Sequence, residues 1–384
     1  MDEGDTGQAG ERIAGSVARP RIISSFTMSA LEIYAGPVAR ERIKQQGFRP
    51  ELFSLLLGAS GGPKWFVLYG LDRYLFGDFF ANRQEPLMTM GSSAGAWRLS
   101  CLGTADPLRA IDELARRYSG ETYSEQPSVE EITGKMRNML SDVLGASGAA
   151  EIASNRVFQT HIIADRCKGM ANSTRAPLQK LALGGSAMAN IVSRRTLSWF
   201  FQRTIFTNMG DMTPFSDLND LDTAIAPLVE GNVIDAMIAS GSIPFILEGV
   251  RDIEGANAGL YWDGGITDYH FDMPFTELDG LVLYPHFSPK IVPGWFDKML
   301  RWRRPPLKHF DNVVLLTPSA EWTATLPGAK IPDRNDFERY GEAERLAKWQ
   351  QVLDASHQLA GEFSDLISSE DGLSSIKDFS ERPV

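Results

Sequence analysis

Cysteine is almost missing: Cys101 and Cys167 are the only two in 384 residues. Two such thiols make no disulfide framework and no thiolate metal site. Both are expected to be buried, small and apolar, in a reducing compartment. Apolar runs of the about 18–20 residues needed to cross a membrane are lacking too. The first residues, Met1-Asp-Glu-Gly-Asp, do not follow the basic-then-apolar order of a secretion signal, so the cytoplasm is the expected location. Positive charge is in deficit. The formal net charge of −11 argues against broad electrostatic capture of nucleic acid, although a local membrane contact is compatible with it. Histidine is scarce, five in all, and none sits in a recognisable motif.

What is present suits a large buried core: 43% of residues are hydrophobic and 23% charged. Residues 1–27 are rich in Gly, Ser, Ala and charge without periodicity and read as a disordered leader, with Met28 as an alternative start. Residues 28–384 are expected to form a single α/β domain with helical insertions. Leu31 to Gln46 reads as a first element whose Arg40, Arg42 and Lys44 face solvent. Leu52–Leu57 is a buried strand, and Trp65–Phe80 an amphipathic helix with Phe66, Tyr69, Leu71 and Leu75 toward the core. Asp106 to Asn155 is helical in character, Phe158–Ala164 a strand, and 172–210 irregular. A helix over Asn232–Ser240, a short strand Leu260–Trp262 and strands at Leu281–Tyr284 and Val313–Thr317 follow. Asp336–Ile367 is one long helix or two shorter ones, with Phe337, Tyr340, Leu346, Val352, Leu353 and Leu359 inward. Strand, glycine turn and helix occur twice before residue 102, which argues for a parallel sheet covered by helices.

The chemistry concentrates in Gly91-Ser-Ser93-Ala94-Gly95, after the apolar run Pro86–Met90. Such a turn holds Ser93 at its apex, with Gly91 and Gly95 removing steric clashes and Ala94 small enough to fit. The helix expected over Ala96–Cys101 points its N-terminus at the serine. Two other glycine turns follow strands: Gly61-Gly62-Pro63-Lys64 upstream and Asp263-Gly264-Gly265 downstream.

These three features, with Ala239-Ser-Gly-Ser-Ile-Pro244, resemble the patatin-like phospholipase family over Leu52 to Pro274. The resemblance implies a three-layer α/β/α sandwich with a mainly parallel central sheet. It also implies a lipid acyl hydrolase that uses a Ser–Asp dyad without metal or cofactor. Carried over residue by residue, Ser93 is the nucleophile and Asp263 its base. Gly61, Gly62, Lys64 and Ala94 would form the oxyanion hole, and Gly91, Gly95, Gly264 and Gly265 the supporting turns. This sequence departs from the family where Pro63 and Trp65 interrupt the glycine loop. Pro63 has no N–H to donate, so the loop's donors must come from its neighbours. A serine hydroxyl needs a base to become nucleophilic, and a carboxylate serves only in a partly dry site.

Other readings remain open at this point. His270, His286 and His309 follow Asp263 in the order of a Ser-His-Asp esterase or thioesterase, whereas His161 reads as a core histidine. A catalytically silent lipid-binding protein of the same fold is a further alternative. Trp295, Arg301, Trp302, Arg303 and Arg304 suit a membrane-surface patch, or a short helix packing Trp295, Met299 and Trp302 inward. The aromatic run 197–206 is core or a lid. Asp165-Arg166 reads as an ion pair, and Lys64 alternatively as a surface lysine closing a turn.

Overall fold

The apolar runs become strands of one sheet in the computed structural model, which describes residues 29–383. The expected leader over 1–27 and the alternative start at Met28 lie outside the described residues. In chain order, β1 (Leu31–Ala35), α1 (Pro37–Gln46), β2 (Phe53–Gly58), α2 (Tyr69–Tyr74), β3 (Leu87–Ser92) and α3 (Ala94–Leu102) come first. Three helices follow, α4 (Pro107–Ser119), α5 (Val129–Leu144) and α6 (Gly148–Ser154), then β4 (Phe158–Cys167), α7 (Ala176–Val192), β5 (Phe201–Thr207) and β6 (Thr223–Pro227). Next are α8 (Val233–Gly241), β7 (Val250–Arg251), β8 (Leu260–Asp263), β9 (Leu281–Pro285) and β10 (Val313–Pro318). The chain closes with α9 (Ala320–Thr325), α10 (Asp336–Arg339), α11 (Glu342–Ile367), α12 (Glu370–Ser374) and β11 (Lys377–Asp378).

The strand order is β11-β1-β10-β9-β2-β3-β4-β5-β6, with β8 pairing β4 and β7. From β10 to β4 every neighbour is parallel. The edges bring antiparallel pairs, β1 with β10 and β5 with β4. Every residue of β9 and β10 is buried, as expected of parallel strands covered on both faces. The fold is thus α/β, a mostly parallel central sheet flanked by helices. Cys101 and Cys167 are buried free thiols.

Several elements differ from the sequence reading. Leu31–Gln46 is a strand and a helix, because Pro37 suits the first helical turn and ends the extended run at Gly36. The helix expected over 65–80 is continuous but changes winding, from 3₁₀ (Gly62–Leu68) through α2 to a π turn (Leu75–Phe79). The stretch 172–210 is regular: it contains α7, a 3₁₀ turn (Arg194–Trp199) and β5. From Phe201 onward the aromatic run builds a core strand, with Phe201, Ile205 and Phe206 buried, while Trp199 before it is exposed. The last long helix divides at Tyr340-Gly341. Asp165 and Arg166 do not pair with each other, since alternation along β4 sends them to opposite faces. Asp165 is buried against Thr267, and Arg166 reaches the Ala258 carbonyl and Gln202.

Candidate active site

Two strands meet head-on along one edge of β4. β3 runs parallel to β4 until Ser92 lies opposite Ile163, and β8 arrives antiparallel with Asp263 opposite Ala164. Consecutive residues of β4 thus bring the ends of two distant segments together, one strand step of about 3.3 Å apart. Ser93, the next residue after β3, has φ 56° and ψ −130°. That left-handed backbone is uncommon for a residue with a Cβ and marks a strained turn that lifts the side chain out of the sheet. Its Oγ donates to Asp263 Oδ2 at 2.9 Å, and both residues are buried. Asp263 Oδ1 accepts the Gly265 N–H at 2.7 Å. Burial raises the Asp263 carboxyl above its ordinary range, while Gly265, Ser93 and the charges of Arg334 and Lys298 oppose that rise. The result is a carboxylate more basic than an exposed one.

The glycines serve close approach. A Cβ on Gly95 would lie 1.9 Å from the Gly58 carbonyl oxygen, so α3 begins flush against the end of β2. A Cβ on Gly265 would sit 2.6 Å from Ser60 Oγ and 2.8 Å from Asp263 Oδ1. Gly91 and Gly264 similarly face backbone at 2.4 Å and 2.2 Å. Ser240, at the end of α8, joins the parts: its hydroxyl accepts the Ser93 N–H at 2.8 Å and donates to the Ile163 carbonyl at 2.6 Å.

Gly61 and Gly62 approach the serine from the loop after β2, Gly62 with φ 55°. Among the described residues, the N–H groups of Gly61, Gly62 and Ala94 have no hydrogen-bond partner. Gly62, Ser93 and Ala94 line one cavity, and Ala94 opens α3, whose N-terminus favours negative charge. Lys64 does not add a third loop donor. The 3₁₀ segment begun at Gly62 directs its N–H to the Gly61 carbonyl, at 3.4 Å. Its ammonium instead reaches the Tyr269 hydroxyl at 3.4 Å, and burial lowers its pKa.

The cavity measures about 720 Å³ and is walled by Trp97, Tyr118, Tyr123, Ile132, Met136 and Leu247 among others. A smaller recess on the Asp263 side is lined by Ser60, Tyr269, Trp295, Lys298 and Arg334. Lys298 Nζ lies 3.7 Å from the centre of the Tyr269 ring. Lys298 is exposed, yet the surrounding protein, then Lys64 and Arg334, push its ammonium down to about 7 against the pull of Asp263. Among the described residues, Lys64, Lys298 and Arg334 form no ion pair, unlike the buried Arg98 and Arg203.

None of the five histidines hydrogen-bonds to Ser93 or Asp263. His270 and His286 are buried, their Nδ1 atoms accepting the N–H groups of Val292 and Ser288. Burial lowers both, His286 to about 3. His309 pairs with Asp272 at 2.8 Å, His161 is held between the Thr89 carbonyl and Thr213, and His357 packs on Tyr69. The triad reading therefore lacks its base.

Residues 295–304 divide by direction. Trp295 and Arg303 turn inward, Arg303 pairing with Asp297 at 3.2 Å. Arg301, Trp302 and Arg304 are exposed. Met299, expected inward, is exposed, as is Trp302. Sequence reasoning missed Lys298, Arg334 and the bridging role of Ser240; only Ser240 lay in a motif.

No curated protein matches the chain by sequence. Among solved structures, the crystal structure of VipD from Legionella pneumophila is similar at a TM-score of 0.32 and 12% identity, covering 91% of this chain and 74% of that one. That likeness is too distant to bear on function. Residues 79–276, just over half of the sequence, match the model of the patatin-like phospholipases, and they include both members of the Ser93–Asp263 hydrogen bond; the chain belongs to the patatin-like phospholipase family.

Proposed function

We propose that the chain hydrolyses lipid acyl esters through an acyl-Ser93 intermediate, with Asp263 as the only general base. The observation that carries this is the 2.9 Å hydrogen bond from Ser93 Oγ to Asp263 Oδ2, with Ser93 lining a large cavity of mixed aromatic, aliphatic and charged walls and no histidine bonded to either residue. Asp263 takes the hydroxyl proton as Oγ attacks the ester carbonyl carbon. The tetrahedral oxyanion receives the N–H groups of Gly61, Gly62 and Ala94; one such donor is worth about 3–4 kcal/mol in well-studied serine hydrolases. As the carbon–oxygen bond to the alcohol breaks, Asp263 returns the proton to the departing oxygen. Water then attacks the acyl carbonyl, gives its proton to Asp263 and releases the free acid. Ser93 recovers its hydrogen as the bond to the acyl group breaks.

The acyl chain fits the part of the cavity walled by Trp97, Tyr118, Ile132, Met136 and Leu247, rather than the charged part lined by Glu125, Glu338, Glu342 and Arg345. The leaving group faces the recess lined by Lys298 and Arg334, with Lys64 nearby, three basic side chains that form no ion pair among the described residues, so an anionic headgroup is preferred over a neutral one. A fluorophosphonate probe tests the chemistry: labelling of the wild-type chain should vanish in Ser93→Ala and fall sharply in Asp263→Asn. Absence of labelling in the folded wild type would favour the silent lipid-binding alternative. Loss of turnover in a folded His270→Ala or His286→Ala variant would count against the dyad.

A further inference from the structure

Helix α7 is built inside out. Its buried residues are Ala182, Ser186 and Asn190, at i, i+4 and i+8, while Leu181, Met188 and Val192 stand on the outward side. Met188 is 67% exposed and Val192 84%. An ordinary surface helix turns its apolar stripe to the core and its polar face to water. Here the small and polar residues face the core, because Asn190 is needed there. Its Nδ2 donates to Asp297 at 2.7 Å, and Arg303 bonds both Asn190 Oδ1 and the Ile191 carbonyl at 3.1 Å. These bonds fix the end of α7 beside the 295–303 segment. There, Met299 at 84% and Trp302 at 69% are also exposed, and Trp199 stands out at 72% just beyond the helix.

The charge around this face differs from that of the whole molecule. The chain carries 49 acidic residues, but none lies between Arg166 and Gly210, a stretch with seven lysines and arginines. Arg175, Lys180, Arg195, Arg301 and Arg304 are exposed and form no ion pair among the described residues. A second copy of this chain would set like charges against each other, and a nucleic acid would leave the apolar residues unpaired. An anionic lipid surface satisfies both features, with apolar side chains at the level of the acyl chains and arginines among the headgroups. The face also borders the active site: Trp295 and Lys298 of the same segment line the recess at Asp263, and Arg194 donates to the Thr267 carbonyl at 2.8 Å.

We propose that α7, Trp199 and the Met299–Arg304 segment form a docking face for an anionic bilayer, which delivers lipid directly to the Ser93 cavity. This surface is separate from the ester chemistry, so binding is read without turnover. The full chain should float with vesicles of equimolar phosphatidylcholine and phosphatidylserine, weakly with phosphatidylcholine alone, and less as salt is added. Arg301→Glu with Arg304→Glu should lower the partition coefficient at least about tenfold, from about 1 kcal/mol per basic residue. Met188→Ser, Val192→Ser and Trp302→Ser together should abolish flotation without shifting the melting temperature, since all three side chains lie outside the core. Wild-type chain that stays with the soluble fraction overturns the proposal, as do variants that float like the wild type. Concentration-dependent dimerisation lost in the Ser triple variant would assign the face to a second copy instead.

Discussion

Asp165 and Thr267 meet twice beneath the turn that carries Asp263. The Thr267 amide lies 2.9 Å from Asp165 Oδ2, and its hydroxyl 2.8 Å from Oδ1. That hydroxyl is also 2.8 Å from Asp268 Oδ2 and has one proton to give. Burial, then the Asp268 charge, raises the Asp165 pKa well above 3.8. The consistent arrangement has Asp165 protonated and donating to Thr267, which donates to Asp268, itself neutralised by Arg203 at 2.7 Å and 3.0 Å.

Asp165→Asn should therefore be tolerated, because an amide copies the neutral acid, whereas Asp165→Ala should cost about 1–3 kcal/mol. Because the folded pKa lies above the unfolded one, this group's stabilisation is complete below pH 3.8 and disappears as pH rises through the folded value. Thermal melts across pH should show a flatter curve for Asp165→Asn. Equal destabilisation by Asn and Ala would contradict the proton assignment.

Ser240→Ala leaves the buried Ser93 N–H without a partner, at about 1–3 kcal/mol of stability. Ser240 lines neither cavity and acts by positioning the serine turn. The expected kinetic signature is a fall in kcat with KM nearly unchanged. A change confined to KM would show that the residue shapes the binding cavity instead.

Lys298 is charged below about pH 7 and neutral above it. For an anionic headgroup, KM should rise as pH passes through that value, while a neutral short-chain ester should show no such step. Lys298→Arg keeps its charge and should remove the step. Identical pH profiles for the two substrates would separate Lys298 from headgroup recognition.

Gly95→Ala forces a Cβ to within 1.9 Å of the Gly58 oxygen, and both positions are backbone with nowhere to retreat. A loss of about 3 kcal/mol or more, with loss of activity, is expected. Gly134, exposed within α5, has nothing within 4 Å of its Cβ position. Gly134→Ala should raise stability by about 0.5–1 kcal/mol. Chemical denaturation of the two variants should move in opposite directions.

The middle of the sheet was legible because strands such as Leu52–Leu57 and Pro86–Gly91 are apolar runs closed by glycine, whereas β1, β5 and β6 toward its edges, shorter or more polar, were not read as strands. The turn around Ser93 was legible too, since its steric demands are local. What escaped was non-local or inverted. α7 reads as irregular because its apolar stripe faces water and its buried side holds Ser186 and Asn190, so the usual pattern is reversed. Lys298 and Arg334 join Lys64 only through tertiary folding, and nothing in their own surroundings marks them. Met299 and Trp302 follow helical spacing toward a core that is not on their side.

The encounter of β3 and β8 on one edge of β4 has a last consequence. Pairing registers change by whole residues, and a single-residue slip of β8 would send the Asp263 carboxylate to the far face of the sheet. No intermediate spacing exists for the molecule to occupy. Damage to this four-residue strand should thus silence individual molecules outright rather than dim them all, so a partly inactivated sample would be a mixture of intact and dead enzyme.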